Sequence, residues 1–249
     1  MAVVEIESAG AIRTVRLNRP EKRNALNREM LSLLSQAFAM APPASERVTV
    51  IRAAGPVFCA GLDLATHDDI DTDPIEGTLR AIETYPLPVV AVVQGDAIAG
   101  GNELALHCDL VVAGANARFG MSLSQIGLSP SWFLIKKLLE VAGPVITRKI
   151  LLLGDPMPAE TFFEYGIISH IAEQEELEIV AQRVIDRLAA NAPLSLKAMK
   201  AVIVREMEFR DAIAHDDVDV LVLKANRSSD AKEGMAARLA KRAARFEGR

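Results

Sequence analysis

The chain has 249 residues, half of them hydrophobic and 24% charged, with a formal net charge of −5. That is material for one large core, or a core with an appendage, and the acidic balance argues against general nucleic-acid binding. There is no apolar run of about 18 residues to span a membrane, and Cys59 and Cys108 fit neither a disulfide scaffold nor a zinc site.

Aromatic residues are only 4%, so the core is expected to be built from Ala, Leu, Val and Ile. The first residues start directly in strand pattern, which reads as a cytoplasmic chain without a signal peptide. Val3–Ile6 and Ala11–Leu17 alternate on either side of Ser8-Ala9-Gly10 and predict a hairpin. Asn18–Asn27 is a polar loop holding Pro20, Lys22 and Arg23, and Asn27 is the expected cap of a helix over Arg28–Ala39. Val48–Arg52 reads as a buried strand, turned by Gly55-Pro56. Val57–Leu64 is an apolar octapeptide broken by Gly61, whose backbone freedom turns the Leu62 N–H outward. His67–Asp73 carries Asp68, Asp69, Asp71 and Asp73. It lacks the central Gly and distal Glu of a calcium loop, so a solvated acidic loop and no metal site are expected. Pro74–Tyr85 reads as a helix.

The stretch that follows organises the rest. Val89–Val93 is a short apolar run, read as a strand buried on both faces. It breaks at Gln94-Gly95-Asp96, passes through Ala97-Ile98-Ala99-Gly100-Gly101 and turns helical. Such a helix start leaves backbone N–H groups without intrahelical partners, and its dipole favours negative charge beyond them. Gly100 and Gly101 leave the backbone open to a ligand, and Glu103 sits in the first turn. Two readings stay open on these residues alone: half an oxyanion site with an acid/base group, or an ordinary strand–turn–helix. His107 shares a helix face with Glu103; a packed histidine is the preferred reading, since Leu104 and Cys108 flank it.

Leu110–Ala113 and a segment opening at Ala117 are further strands, and Met121–Pro130 is a loop. Trp132–Val141 and Pro144–Leu153 read as helices broken by Gly143-Pro144. Pro158–Tyr165 is a short helix and Ile167–Ile171 the last strand. From Glu173 onward helix follows helix: Leu177–Ala189, Leu194–Arg205, Asp211–Leu223 and Ser229–Arg245. Residues 231–249 hold six basic and two acidic side chains. This basic tail is either a solvated helix face or a contact for a phosphorylated ligand.

Together these pieces resemble the enoyl-CoA hydratase/isomerase (crotonase) family. Asn18–Asn27 (Asn-Arg-Pro-Glu-Lys-Arg-Asn-Ala-Leu-Asn), Phe58–Leu64 (Phe-Cys-Ala-Gly-Leu-Asp-Leu), Gly95–Asp109 and Ser229–Gly234 with the basic tail carry the match. The resemblance implies an α/β fold: a crotonase-like spiral of ββα units over residues 1–190 and a C-terminal helical trimerisation region over residues 191–249. Homotrimers, or trimers paired into hexamers, are implied with it. The implied substrate is an acyl-CoA thioester, and coenzyme A is part of that substrate rather than a separate cofactor; neither nucleic acid nor membrane is an expected partner.

By the motif match, the amides of Leu62 and Gly100 are the oxyanion donors, each worth about 3–4 kcal/mol in comparable sites, and Glu103 is the acid/base group. Substrate and CoA contacts are implied at Arg23, Ala25, Ala60, Gly61, Leu62, Asp63, Gly100, Leu123 and the basic tail. Asp63 is expected to fix the turn or meet a neighbouring loop rather than perform chemistry. Trp132, the only tryptophan, is a candidate for the acyl pocket, with core or interface packing as the equal competitor. The family's second glutamate stands in a Phe-Gly-x-Pro-Glu segment; here the segment reads Phe119-Gly120-Met121-Ser122-Leu123. Three readings follow. Glu103 hydrates 2-enoyl-CoA alone or with Ser122, Ser124 or Gln125. Or it serves as the single base of an isomerase, or the enolate site that of a decarboxylase or thioesterase. Or the chain binds acyl-CoA with little catalysis.

Overall fold

A computed structural model of the chain describes residues 2–65 and 73–249. The predicted acidic loop, apart from Asp73 at a helix start, lies outside the described residues. A six-stranded sheet, in the order β1-β2-β3-β4-β6-β9, forms the frame. The hairpin β1 (Val4–Ala9) and β2 (Ile12–Leu17) is antiparallel. β3 (Val48–Ala53), β4 (Val89–Val93), β6 (Leu110–Gly114) and β9 (His170–Ala172) add to it in parallel.

β4 and β6 are apolar at every position because both faces of the sheet are covered there. On one face Ile51, Val89, Ala91 and Val93 join the main core beneath α1 (Arg28–Ala39) and α2 (Asp73–Thr84). On the other, Val48, Val50, Val90, Val92 and Val112 pack on Leu177, Ala181 and Ile185 of α6 (Leu177–Ala190). α1 starts where expected: the Asn27 side chain accepts from the Met30 N–H at 2.9 Å. That bond satisfies one of the orphan donors of the first turn.

Beyond β4 the chain forms β5 (Ala97–Ile98), α3 (Gly100–Leu106) and β7 (Arg118–Gly120). β5, β7 and β8 (Met157–Pro158) make a second, three-stranded sheet. α4 (Trp132–Arg148) contains the expected break, with Gly143 at φ 64°, and leads into a π turn over Lys149–Leu153. α5 (Ala159–Glu164) precedes β9. α7 (Pro193–Met207), α8 (Asp216–Asn226) and α9 (Ser229–Leu239) complete the chain. Among the described residues no helix is long and apolar enough to cross a membrane.

Three expected elements differ. The last strand begins at His170 rather than Ile167, because the N–H groups of Ile167 and Ile168 both turn back to the Phe162 carbonyl. The helix expected from Asp211 begins at Asp216, where Asp216, Asp217 and Asp219 crowd the first turn and favour its dipole. The last helix ends at Leu239, not Arg245: Lys241 adopts φ 52°. The tail then folds back, with the Glu247 and Gly248 N–H groups donating to Asp230.

Candidate active site

Two chain segments meet beyond the C-terminal end of β4. The first is organised by Asn24, which is fully buried. Its amide donates to the carbonyls of Ala54 and Val57 at 2.8 Å each, and its oxygen accepts from the Arg19 N–H at 2.8 Å. Arg23 and Asn24 both adopt φ 53°, a left-handed conformation that asparagine tolerates better than most residues. So held, Leu26 receives Gly61 and Asp63: its N–H donates to the Gly61 carbonyl at 2.7 Å and its carbonyl accepts from the Asp63 N–H at 3.0 Å. In this parallel bridge the N–H of Leu62 itself faces the opposite edge.

The second segment runs alongside. The Ile98 N–H donates to the Cys59 carbonyl at 2.9 Å, and the Ala99 N–H to Gly120 at 2.7 Å. Ala99 holds φ 51°, ψ −118°, a conformation that costs a residue with a Cβ on the order of 1–3 kcal/mol. Gly100 opens α3, so its N–H has no intrahelical acceptor. The two segments touch at their glycines: a Cβ on Gly61 would lie 3.2 Å from the Gly100 nitrogen, and one on Gly100 would lie 3.4 Å from the Gly61 Cα. Gly61 at φ 92° makes the turn that aims Leu62. Gly101 has a different task from the one read in the sequence: a Cβ there would lie 2.1 Å from the Cys59 carbonyl oxygen. It lets α3 pack against the first segment rather than opening the backbone to a ligand.

Ala60, Leu62 and Gly100 line a partly open cavity. Its walls are hydrocarbon: Ile98, Met121, Leu123, Leu128, Pro130 and Leu134 among others. The polar residues lining it are Ser122, Ser129, Asn226 and Arg238. Of the three polar groups weighed as substitutes for the missing glutamate, Ser122 lines the cavity. Ser124 and Gln125 are exposed, and Gln125 donates to the Leu153 carbonyl and to Asp155.

Glu103 is fully buried one turn into α3 and is not part of the cavity wall. Its Oε1 accepts from the Asn102 amide at 3.3 Å, and its Oε2 has no hydrogen-bond partner. Burial pushes its carboxyl up to about 8, against the smaller opposing pull of Asn102 and Lys137. His107 is the packed histidine expected. Its Nδ1 donates to the Glu103 carbonyl at 2.8 Å and its ring stacks on Phe133 at 5.1 Å. Burial, with Lys137 nearby, lowers it to about 3. At neutral pH both groups are uncharged, so the 3.7 Å approach of His107 Nδ1 to Glu103 Oε2 is no ion pair.

The remaining expected contacts divide. Asp63 pairs with Arg19 at 2.6 Å and accepts from the Ala65 N–H at 3.2 Å, which ties the two loops together. Arg23 is exposed on the neighbouring loop, its carbonyl accepting from the Ala60 N–H at 3.1 Å; Ala25 lies beside it, half-buried. Trp132 does not line the cavity; it stacks on His215 with ring centroids 4.6 Å apart. In the basic tail, Arg242 donates to both Glu233 oxygens and Arg249 to Glu247. Sequence reasoning missed Asn24, although an asparagine in a polar loop is a known turn signal. It also missed Ala99, for which no local pattern gave a signal, and read Arg238 only as one of the basic residues of the tail.

The family model for enoyl-CoA hydratase/isomerase matches residues 7–249. The chain belongs to that family. It is 33% identical over 250 residues to a "Probable enoyl-CoA hydratase" of Mycobacterium tuberculosis, covering 99% of this chain and 100% of that protein. It is 32% identical over 241 residues to the 2,3-dehydroadipyl-CoA hydratase of Escherichia coli, covering 94% of each. Among solved structures, a methylmalonyl-CoA decarboxylase superposes with a TM-score of 0.91 at 26% identity, over 99% of this chain and 98% of that one. An enoyl-CoA hydratase from Mycobacterium avium subsp. paratuberculosis superposes at 0.88, with 26% identity over 99% of each. The family member is thus an acyl-CoA enzyme of the crotonase fold.

Proposed function

We propose that this enzyme adds water reversibly to a 2-enoyl-CoA, with the Leu62 and Gly100 amides holding the thioester oxygen. The observation that carries the reading is the contact of the two glycine turns, which brings these amides to one wall of an apolar cavity. As water attacks C3, negative charge moves onto the thioester oxygen, and the two N–H groups stabilise it there. Glu103 takes the proton that the water loses and delivers it to C2, so one carboxyl serves both steps. Ser122 orients the water from the position next to Leu123. Beyond the coenzyme A of the substrate, this chemistry needs no cofactor.

Glu103 must be ionised to accept the proton. With its carboxyl raised to about 8, kcat/KM should rise with pH toward that value and level off above it. Loss of the conjugated-thioester absorbance of crotonyl-CoA measures this directly. Glu103→Gln should cost about 100-fold or more, and Gly100→Pro, which deletes one amide donor and also sets ring atoms against Ile75 and Gly61, a comparable amount or more. A folded Gly100→Pro variant of undiminished activity would remove the basis of the proposal.

A second reading is favoured by one feature: among the described residues no carboxylate lines the cavity. Loss of CO2 from an α-carboxylated acyl-CoA generates the same enolate without a base, and the solved decarboxylase at TM-score 0.91 supports this reading. A 3-enoyl-CoA isomerase using Glu103 alone is the other single-carboxyl reaction. Parallel assays with the three substrates separate them.

The region over residues 191–249 is assigned to assembly into homotrimers, or pairs of trimers. Met199, Val202, Ile203, Val220 and Leu221 on α7 and α8 are 60–63% exposed, more apolar surface than an isolated chain favours.

A further inference from the structure

We propose that Arg238 makes this cavity selective for acyl-CoAs whose acyl chain carries a free carboxylate. The inference rests on the acyl-CoA reading above and names the substrate class of the same site. The cavity wall is largely hydrocarbon, with Ile98, Leu123, Leu128 and Pro130 among its residues. Among the described residues, Arg238 is the one charged side chain on that wall. Asn226, beside it, is already committed: its oxygen accepts from the Ser129 N–H at 2.8 Å and its amide donates to the Ser129 carbonyl at 3.1 Å. Arg242, on the same tail, is committed to Glu233. No side-chain hydrogen bond or ion pair engages the Arg238 guanidinium among the described residues.

An arginine in the last turn of a helix suits the helix dipole on any face. That role does not call for a place on an apolar cavity. Arg238 is itself exposed to solvent, so its choice of partner rests on geometry more than on a low dielectric. A guanidinium matches a carboxylate through two parallel N–H···O bonds. A neutral acyl chain leaves the cation unanswered; a carboxylated one answers it. The phosphates of coenzyme A share this anionic chemistry, and the test separates the two sources.

The experiment compares kcat/KM for a 2-enoyl-CoA bearing a terminal carboxylate with that for the neutral 2-enoyl-CoA of equal length. Wild type, Arg238→Met and Arg238→Glu are measured in the full chain, with folding checked by circular dichroism. The carboxylate-to-neutral ratio should fall about tenfold in Arg238→Met, as expected for loss of a charge-assisted hydrogen bond, and further in Arg238→Glu. An unchanged ratio overturns the inference. So does an equal loss of affinity for free coenzyme A, carboxylated and neutral acyl-CoA, which places Arg238 on the phosphates. Calorimetric binding of the two saturated acyl-CoAs gives the same ratio without turnover. Wild type binding both with no preference overturns this inference alone; wild type binding neither overturns the acyl-CoA reading as well.

Discussion

At the scale of single residues, the proposed chemistry turns on Glu103 and Leu123. Glu103 is a buried carboxyl held near 8 against an unfolded value of 4.5. The folded state therefore keeps a proton that the unfolded state releases across that interval. Stability from this group is complete below the unfolded value and is lost as pH rises through the folded one, by at most about 1.4 kcal/mol per pH unit. His107 acts with the opposite sign, and only below its ordinary value of 6.5, where unfolding lets it charge. Glu103→Gln should thus abolish a decline in urea-unfolding free energy between 6.5 and 8. An identical slope in variant and wild type would show that Glu103 is already ionised when folded. Leu123 is half-buried in the cavity wall. Leu123→Glu should raise the hydration rate by about 10²-fold, the usual scale of a positioned general acid or base, and leave an isomerase or decarboxylase without that gain.

At the scale of elements, the site depends on how two turns are clamped rather than on helices or strands. Asn24 closes the loop from Arg19 to Leu26 with three hydrogen bonds from one buried side chain, and Leu26 in turn fixes Gly61 and Asp63. Asn24→Ala leaves two buried carbonyls and one N–H without that partner, at about 1–3 kcal/mol each at most. It should lower the midpoint of thermal unfolding and reduce kcat more than it raises KM, because the Leu62 amide loses its aim. A drop in stability with unchanged kcat would show that Leu62 is held by other contacts. The sequence made much of this legible. The break after β4, the helix start at Gly100 and the cap at Asn27 all follow from local residue chemistry. The bounds of α8 and α9 were not legible, because their apolar spacing continues past Asp211 and Leu239 while the breaks come from turn bonds and the Lys241 backbone.

Across the whole molecule, the apolar surface of α7 and α8 predicts assembly. Light scattering should give about three or six times the 26.9 kDa chain mass, and a mass of one chain would contradict it. Val202→Lys should shift that mass toward the monomer, because a charge buried at an apolar interface is costly. Retained crotonyl-CoA turnover in the dissociated chain would show that the cavity is complete within one protomer.

By itself the sequence determined the family and the buried strands, since those follow from short motifs and local periodicity. Only the tertiary structure decided that Gly61 and Gly100 touch, that Glu103 is fully buried with its carboxyl raised to about 8, and that Arg238 lines the cavity while Trp132 does not. Those facts depend on contacts between residues far apart in the chain. No local residue pattern encodes the distance or the burial on which they turn.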